Sequence, residues 1–254
     1  MSNLIKKYME YTDSFKQLVN ACLSPDKNKY VGWGNPNAKI LMIGKEAASL
    51  KDDYDYLNNA DCWKKHIESS TLPANMLINL NQYSGDDEKI LSLRRNWGVN
   101  TWSKYQKIND LIFNCGTDGF KNKCVTFLEK MFTTEINDSP SFRTSIADKS
   151  EMDERKKIFK ESDFIQNFPV IILACSDYIQ NSETMREIDY LFNVTYDGGD
   201  KNGKFFFTPH NWFYTHHNLD RSKLVIHTRQ LSANVRTDML EEMAKVIRKH
   251  LNLY

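Results

Sequence analysis

Three short runs of uninterrupted apolar residues limit what this chain can become. Lys39-Ile40-Leu41-Met42-Ile43 closes on Gly44, Val170-Ile171-Ile172-Leu173-Ala174-Cys175 is the most hydrophobic stretch of the sequence, and Lys223-Leu224-Val225-Ile226 ends at His227. Each is short and lacks polar alternation, so each reads as a strand buried on both faces. Such strands need helices on both sides of their sheet, and amphipathic segments stand between them. Leu4 to Cys22 carries apolar residues near a helical period, and Ser24-Pro25-Asp26 ends it, because proline cannot continue a helix. Asn100 to Phe113 places Trp102, Tyr105, Ile108, Leu111 and Ile112 on one stripe, and Asp238 to Leu251 does the same with Leu240, Met243, Ala244, Ile247 and Leu251. Thr237 or Asp238 is the expected cap of that last helix. Trp63 to Ser69, Asp87 to Leu93, Lys149 to Phe164 and Met185 to Leu191 are further expected helices, and the Lys149–Lys160 stretch reads as a solvated face.

Phe132 to Ile136 is a candidate second strand. Asn193 to Tyr196 and Lys204 to Thr208 flank Asp197-Gly198-Gly199-Asp200-Lys201-Asn202-Gly203, which reads as a hairpin with a glycine-rich loop. The expected architecture is one α/β/α domain over 1–254: three layers, a central, mostly parallel four-stranded sheet, and an inserted hairpin. In such sheets ligands bind at the carboxyl ends of the strands, so chemistry is to be sought just after Ile43, Glu135, Cys175 and Ile226.

Charge and cysteine content exclude several classes. The 254 residues carry 34 basic and 33 acidic side chains, a net charge of +1, which excludes a strongly basic nucleic-acid coat but not a local basic patch. The 5 cysteines, Cys22, Cys62, Cys115, Cys124 and Cys175, contain no C-x-x-C pair, so no cysteine-ligated zinc or iron–sulfur site is expected and a reduced, cytoplasmic setting is. No signal peptide, no membrane span and no cofactor are expected: the chain has no apolar stretch of spanning length, no Walker A loop, no G-x-S-x-G elbow and no G-x-G-x-x-G.

Two strand ends carry recognisable loops. The first is Gly34-Asn35-Pro36-Asn37-Ala38-Lys39-Ile40-Leu41-Met42-Ile43-Gly44-Lys45-Glu46-Ala47-Ala48, and the last is His227-Thr228-Arg229-Gln230-Leu231-Ser232-Ala233. Together they resemble the uracil-DNA glycosylase superfamily, in which a first strand ends in a G-Q-D-P-Y-H or G-E-A-P-G loop and a late strand in H-P-S-P-L-S-A. Gly44-Lys45-Glu46 stands where G-Q-D would be. Glu135 stands at the end of the middle strand, where that superfamily carries an asparagine that reads the base. Ala47 and Ala48 replace the proline and aromatic of the first loop, and His-Thr-Arg replaces H-P-S. These departures bear on which base is removed more than on the fold.

The resemblance implies a metal-free, monofunctional glycosylase that takes single- or double-stranded DNA as substrate, flips a uracil-like or modified base from the stack and hydrolyses its N-glycosidic bond. Its implied catalytic residues are Glu46, positioning water, and His227, stabilising the departing base. Gly44, Lys45, Tyr54 and Glu135 are the implied base contacts, with Glu135 accepting from an amino group. Arg229, Gln230, Leu231 and Ser232 are the implied DNA contacts, with Leu231 entering the duplex. Each has a structural reading beside it: Glu46 in a salt bridge, His227 as a satisfied buried hydrogen bond, Glu135 as an ordinary strand residue. A non-catalytic nucleic-acid or nucleotide binding module that keeps the fold is the alternative function. His210, His216 and His217, with Trp212, Phe213 and Tyr214 among them, read as a solvated loop leaving the hairpin. A three-histidine metal site and base stacking by the aromatics are the sharper alternatives there.

Overall fold

The computed structural model describes residues 10–26, 28–47, 58–70, 101–115, 126–141, 143–198, 204–208 (as backbone) and 210–254. Its strands are β1 (Trp33–Gly34), β2 (Ile40–Gly44), β3 (Met131–Glu135), β4 (Val170–Leu173), β5 (Thr195–Tyr196), β6 (Lys204–Thr208), β7 (Asn211–His217) and β8 (Leu224–Thr228). Its α-helices are α1 (Asp13–Cys22), α2 (Asn59–Ser69), α3 (Thr101–Phe113), α4 (Met152–Glu161), α5 (Asp163–Gln166), α6 (Glu187–Phe192) and α7 (Thr237–His250).

The class is mixed α/β, and the strands make one sheet in the order β1-β3-β2-β4-β8-β7-β5, with β6 also paired to β7. The four middle strands, β3-β2-β4-β8, are parallel, with Ile40 opposite both Met131 and Val170, and Leu173 opposite His227. The expected strand count is corrected: the sheet has eight strands, not four, and only its four middle strands pair in parallel. Antiparallel strands extend it, β1 beyond β3 and β7 beyond β8. Every residue of β2, β4 and β8 is buried, which is why these three announce themselves as continuous apolar runs.

Alternate residues of β3 point to opposite faces, and each face has its own cover. Phe132 packs edge-on against Phe15 of α1 and Phe164 of α5, and it tilts against Trp63 of α2. Such pairs add about 1 kcal/mol each beyond their buried area. Glu135, of the other parity, faces Tyr105 of α3, and α3 in turn packs along α7. Helix boundaries follow local chemistry. The Thr12 hydroxyl caps α1 by accepting from Phe15 N at 3.2 Å. The charged segment expected as one helix is two, because Ser162 ends α4 and caps α5 by accepting from Ile165 N. Arg236, not Thr237 or Asp238, stands at the head of α7, without a side-chain cap.

The expected hairpin is corrected. β5 and β6 do not pair with each other; both pair with β7, so the hairpin is β6–β7. Residues 211–217, expected as loop, are that long strand, with Trp212 and Tyr214 half-buried and Phe213 and Thr215 buried. Lys156 is also not solvated: it is buried and ion-paired to Glu187 at 2.8 Å. Among the described residues no helix is long and apolar enough to cross a membrane.

Candidate functional site

The topology fixes where a crevice can form. The chain leaves β2 toward β3 on one side and leaves β4 toward β8 on the other, so the loops after β2 and β4 part from each other at adjacent strand ends. Ligands of open α/β sheets bind at such a reversal. The segments there are Gly44-Lys45-Glu46 and Cys175-Ser176-Asp177-Tyr178, and the end of β3 lies alongside the first.

Gly44 is opposite Glu135 in the parallel register. A Cβ at position 44 would lie 2.1 Å from Glu135 Oε2, so the glycine makes the space that the carboxylate occupies. Beyond the strands the ladder continues: Ile136 N donates to Gly44 O at 3.0 Å, Asn137 N to Lys45 O at 2.8 Å and Ser141 N to Ala47 O at 2.9 Å. The loop bearing Lys45 and Glu46 is therefore held as firmly as a strand.

Four polar atoms around this point are buried without a hydrogen bond of ordinary geometry among the described residues: Glu46 Oε2, Glu135 Oε2, Tyr105 Oη and Tyr178 Oη, the last of them beside the Glu46 carboxylate. Leaving a polar group so costs about 1–3 kcal/mol, so a cluster of them marks either strain or room for a ligand. They adjoin one another electrostatically. Burial first, and then the neighbouring Glu46 carboxylate, raise the Tyr178 phenol; burial first and the Glu46 charge second raise Glu135. Glu135 in turn, again after burial, raises Tyr105. The other Glu46 oxygen accepts from Thr144 Oγ1 at 2.6 Å, which fixes the carboxylate's orientation.

Glu135 keeps some surface as a residue, yet its Oε2 is buried. Burial first and the Glu46 charge second push its carboxyl up to about 8, against the pull of Arg155. Arg155 cannot neutralise it, because its fork is spent elsewhere. Nε donates to the backbone oxygen of Glu135 at 3.1 Å, Nη2 to Thr134 Oγ1 at 2.8 Å, and Nη1 to Cys22 Sγ at 3.9 Å. Lys45, buried, is likewise committed, to Asp177 at 2.7 Å. Its ammonium lies 4.5 Å from the centre of the Tyr178 ring, and that of Lys149 lies 4.4 Å from it. Burial pushes the Cys175 thiol up to about 12, so it is no nucleophile.

His227 is not part of this group. It is 4% exposed, and both ring nitrogens are used. Nε2 lies 2.9 Å from Ser176 O, a carbonyl that can only accept, so Nε2 carries the proton. Nδ1 must then accept from Asn181 Nδ2, at 3.4 Å. The same amide nitrogen donates to His216 Nε2 at 3.2 Å, and Arg186 Nη1 holds the amide oxygen at 2.9 Å. His216 Nδ1 sits 2.7 Å from Asp189 Oδ1. Trp212 and Tyr214 close on the His227 ring at 5.2 and 6.2 Å. Burial pulls its pKa down to about 4, so the ring is neutral and walled in. The expectation that it stabilises a departing base is not met by this arrangement; the satisfied buried hydrogen bond describes it.

Other expected residues divide. Leu231, expected to protrude into a duplex, is fully buried in the core. Arg229, Gln230 and Ser232 are half-buried, and the Arg229 guanidinium donates to the His210 carbonyl. Arg236 is ion-paired to Asp238 at 2.6 Å, and Lys45 to Asp177 at 2.7 Å. Tyr54 and Tyr56 lie outside the described residues. His216 and His217 are adjacent on β7 and bond separate carboxylates, Asp189 and Asp197, and no group of three metal-ligating side chains converges among the described residues. Tyr105, Thr144, Tyr178 and Asn181 were not expected in a site. Tyr178 alone had a signal, since it follows the end of β4 by a few residues.

A comparison with family models and a search of curated proteins both found no match.

Proposed function

We propose that this chain is a divergent DNA base-excision glycosylase of uracil-DNA glycosylase type, hydrolysing the N-glycosidic bond of a flipped base. The observation that carries the reading is the pair Glu46 and Glu135, each with a buried oxygen lacking a partner, on facing strand ends at the point where the sheet order reverses. Glu46, oriented by Thr144, is placed to position water and to offset positive charge on an oxocarbenium-like sugar. Gly44, lacking a side chain, lets the Glu135 carboxylate sit against the strand end beside Glu46. The parallel four-strand centre and the Gly44-Lys45-Glu46 turn support a glycosylase-like fold. The free cysteines fit a cytoplasmic setting, with DNA as partner.

The test is a panel of single- and double-stranded oligonucleotides bearing uracil, hypoxanthine, thymine mismatches or modified cytosines, read for abasic product. At least one base should be released. The second reading, a nucleic-acid or nucleotide binding module without catalysis, is favoured by the enclosed His227. Binding of the panel with no abasic product from any base would establish that reading instead.

A further inference from the structure

The proton needed by a departing base has no source in His227. Its Nε2 proton is held by Ser176 O, its Nδ1 is filled by Asn181, and aromatic rings cover it. The strand ends hold another candidate. Glu135 Oε2 is buried and has no hydrogen-bond partner among the described residues, lies beside the Glu46 charge, and fills the space that a side chain at Gly44 would take. Every described cation close to it is engaged: Arg155 with backbone and hydroxyl oxygens, Lys45 with Asp177, Lys156 with Glu187. A carboxylate whose buried oxygen has no donor and no uncommitted cation among the described residues, and a like charge next to it, holds a proton instead of a charge. The Tyr105 hydroxyl, which faces Glu135, is buried and without a partner among the described residues as well, so the cluster retains hydrogen-bonding capacity.

We infer that Glu135 is the general acid of the site, protonating the departing nucleobase, with Glu46 as the base that takes a proton from water. The inference rests on the glycosylase reading above. Water oxygen forms the bond to C1′ as the C1′–N bond breaks, and that bond's electron pair leaves with the base. One water proton passes to Glu46 and the Glu135 proton passes to the base. Return of the proton from Glu46 to Glu135 through solvent resets the pair. Nothing is oxidised or reduced. The substrates favoured are bases that leave poorly as anions, since these gain most from protonation. Carrying its proton, Glu135 offers one donor and one acceptor, so it no longer requires an amino group on the base as first expected.

Two measurements on the full chain test this. Carboxyl-13C glutamate NMR should show one signal with a midpoint near 8, absent in Glu135→Gln. Midpoints all in the ordinary carboxylate range would overturn the inference whatever the activity. Abasic-product rates from pH 6 to 9 should fall on the alkaline side in the wild type. Glu135→Gln should lose about 100-fold or more and lose that alkaline limb with it. If Glu135→Gln keeps the rate and the limb, the acid role is overturned and the glycosylase reading stands. If the NMR signal is present but no base of the panel is released, the glycosylase reading fails and takes the acid role with it.

Discussion

Gly44 and Glu135 are a single device built from two residues of opposite size. The carboxylate fits only because its register partner has no side chain, so Gly44→Ala forces the Cβ against Glu135 Oε2. That substitution should cost about 1–3 kcal/mol, as overpacking does. Pairing it with Glu135→Ala should recover much of the loss, a non-additivity read from urea midpoints of the single and double variants. The ionisation of Glu135 has its own signature. Its folded-state pKa, about 8, stands above the unfolded value near 4.5. Between these the folded chain keeps a proton that the unfolded chain has released. The stability it contributes is full below 4.5 and is lost as pH rises through 8. Glu135→Gln should therefore stabilise the protein at neutral pH by up to about 3 kcal/mol, with a larger gain at pH 8 than at pH 5. An equal gain at both would contradict a protonated Glu135.

At the scale of elements, His227 shows the opposite sign. Its folded pKa of about 4 lies below the ordinary 6.5, so between these values the unfolded chain binds the extra proton. Stability is full above 6.5 and is lost as pH falls toward 4, by about 3 kcal/mol at most. His227→Gln should flatten that acid slope in urea titrations, and a slope unchanged from the wild type would overturn the neutral, clamped ring. Asn181 joins β7 and β8 to the segment after β4 by donating to both histidines, a link between distant stretches that no local pattern announces. Strand legibility divides along physical lines. β2, β4 and β8 were legible because burial on both faces leaves no polar alternation to read. β7 was not, because Trp212 and Tyr214 on its half-buried face are as apolar to the eye as Phe213 on its core face. β1, at two residues, has no period at all. The rule that parallel strands present chemistry at their carboxyl ends points to the segments after Ile43 and at Glu135, and the resemblance of the loops singles out Glu46 and Glu135 within them. Tyr105 was read as part of a core stripe, and it is core; only tertiary packing turns its hydroxyl toward Glu135.

For the molecule as a whole, the sheet order decides where function can sit. The four parallel strands send their carboxyl ends to one edge, and the reversal between β2 and β4 opens that edge at Glu46, Tyr178 and, through the register, Glu135. β8 ends on the same edge, but the Ser176–Asn181 segment stands between His227 and that opening and satisfies the ring. A net charge of +1 gives no strong overall field to draw in nucleic acid, so the DNA contact proposed above requires local interactions. The central claim is that the chemistry belongs to the β2–β3 side of this edge and not to β8. The direct measurement is the single-turnover rate of abasic-site formation for Glu46→Gln and His227→Gln against the wild type, with folding checked by circular dichroism. Glu46→Gln should fall by about 100-fold or more and His227→Gln should stay within about tenfold. A folded His227→Gln that loses the reaction while Glu46→Gln keeps it would contradict the assignment.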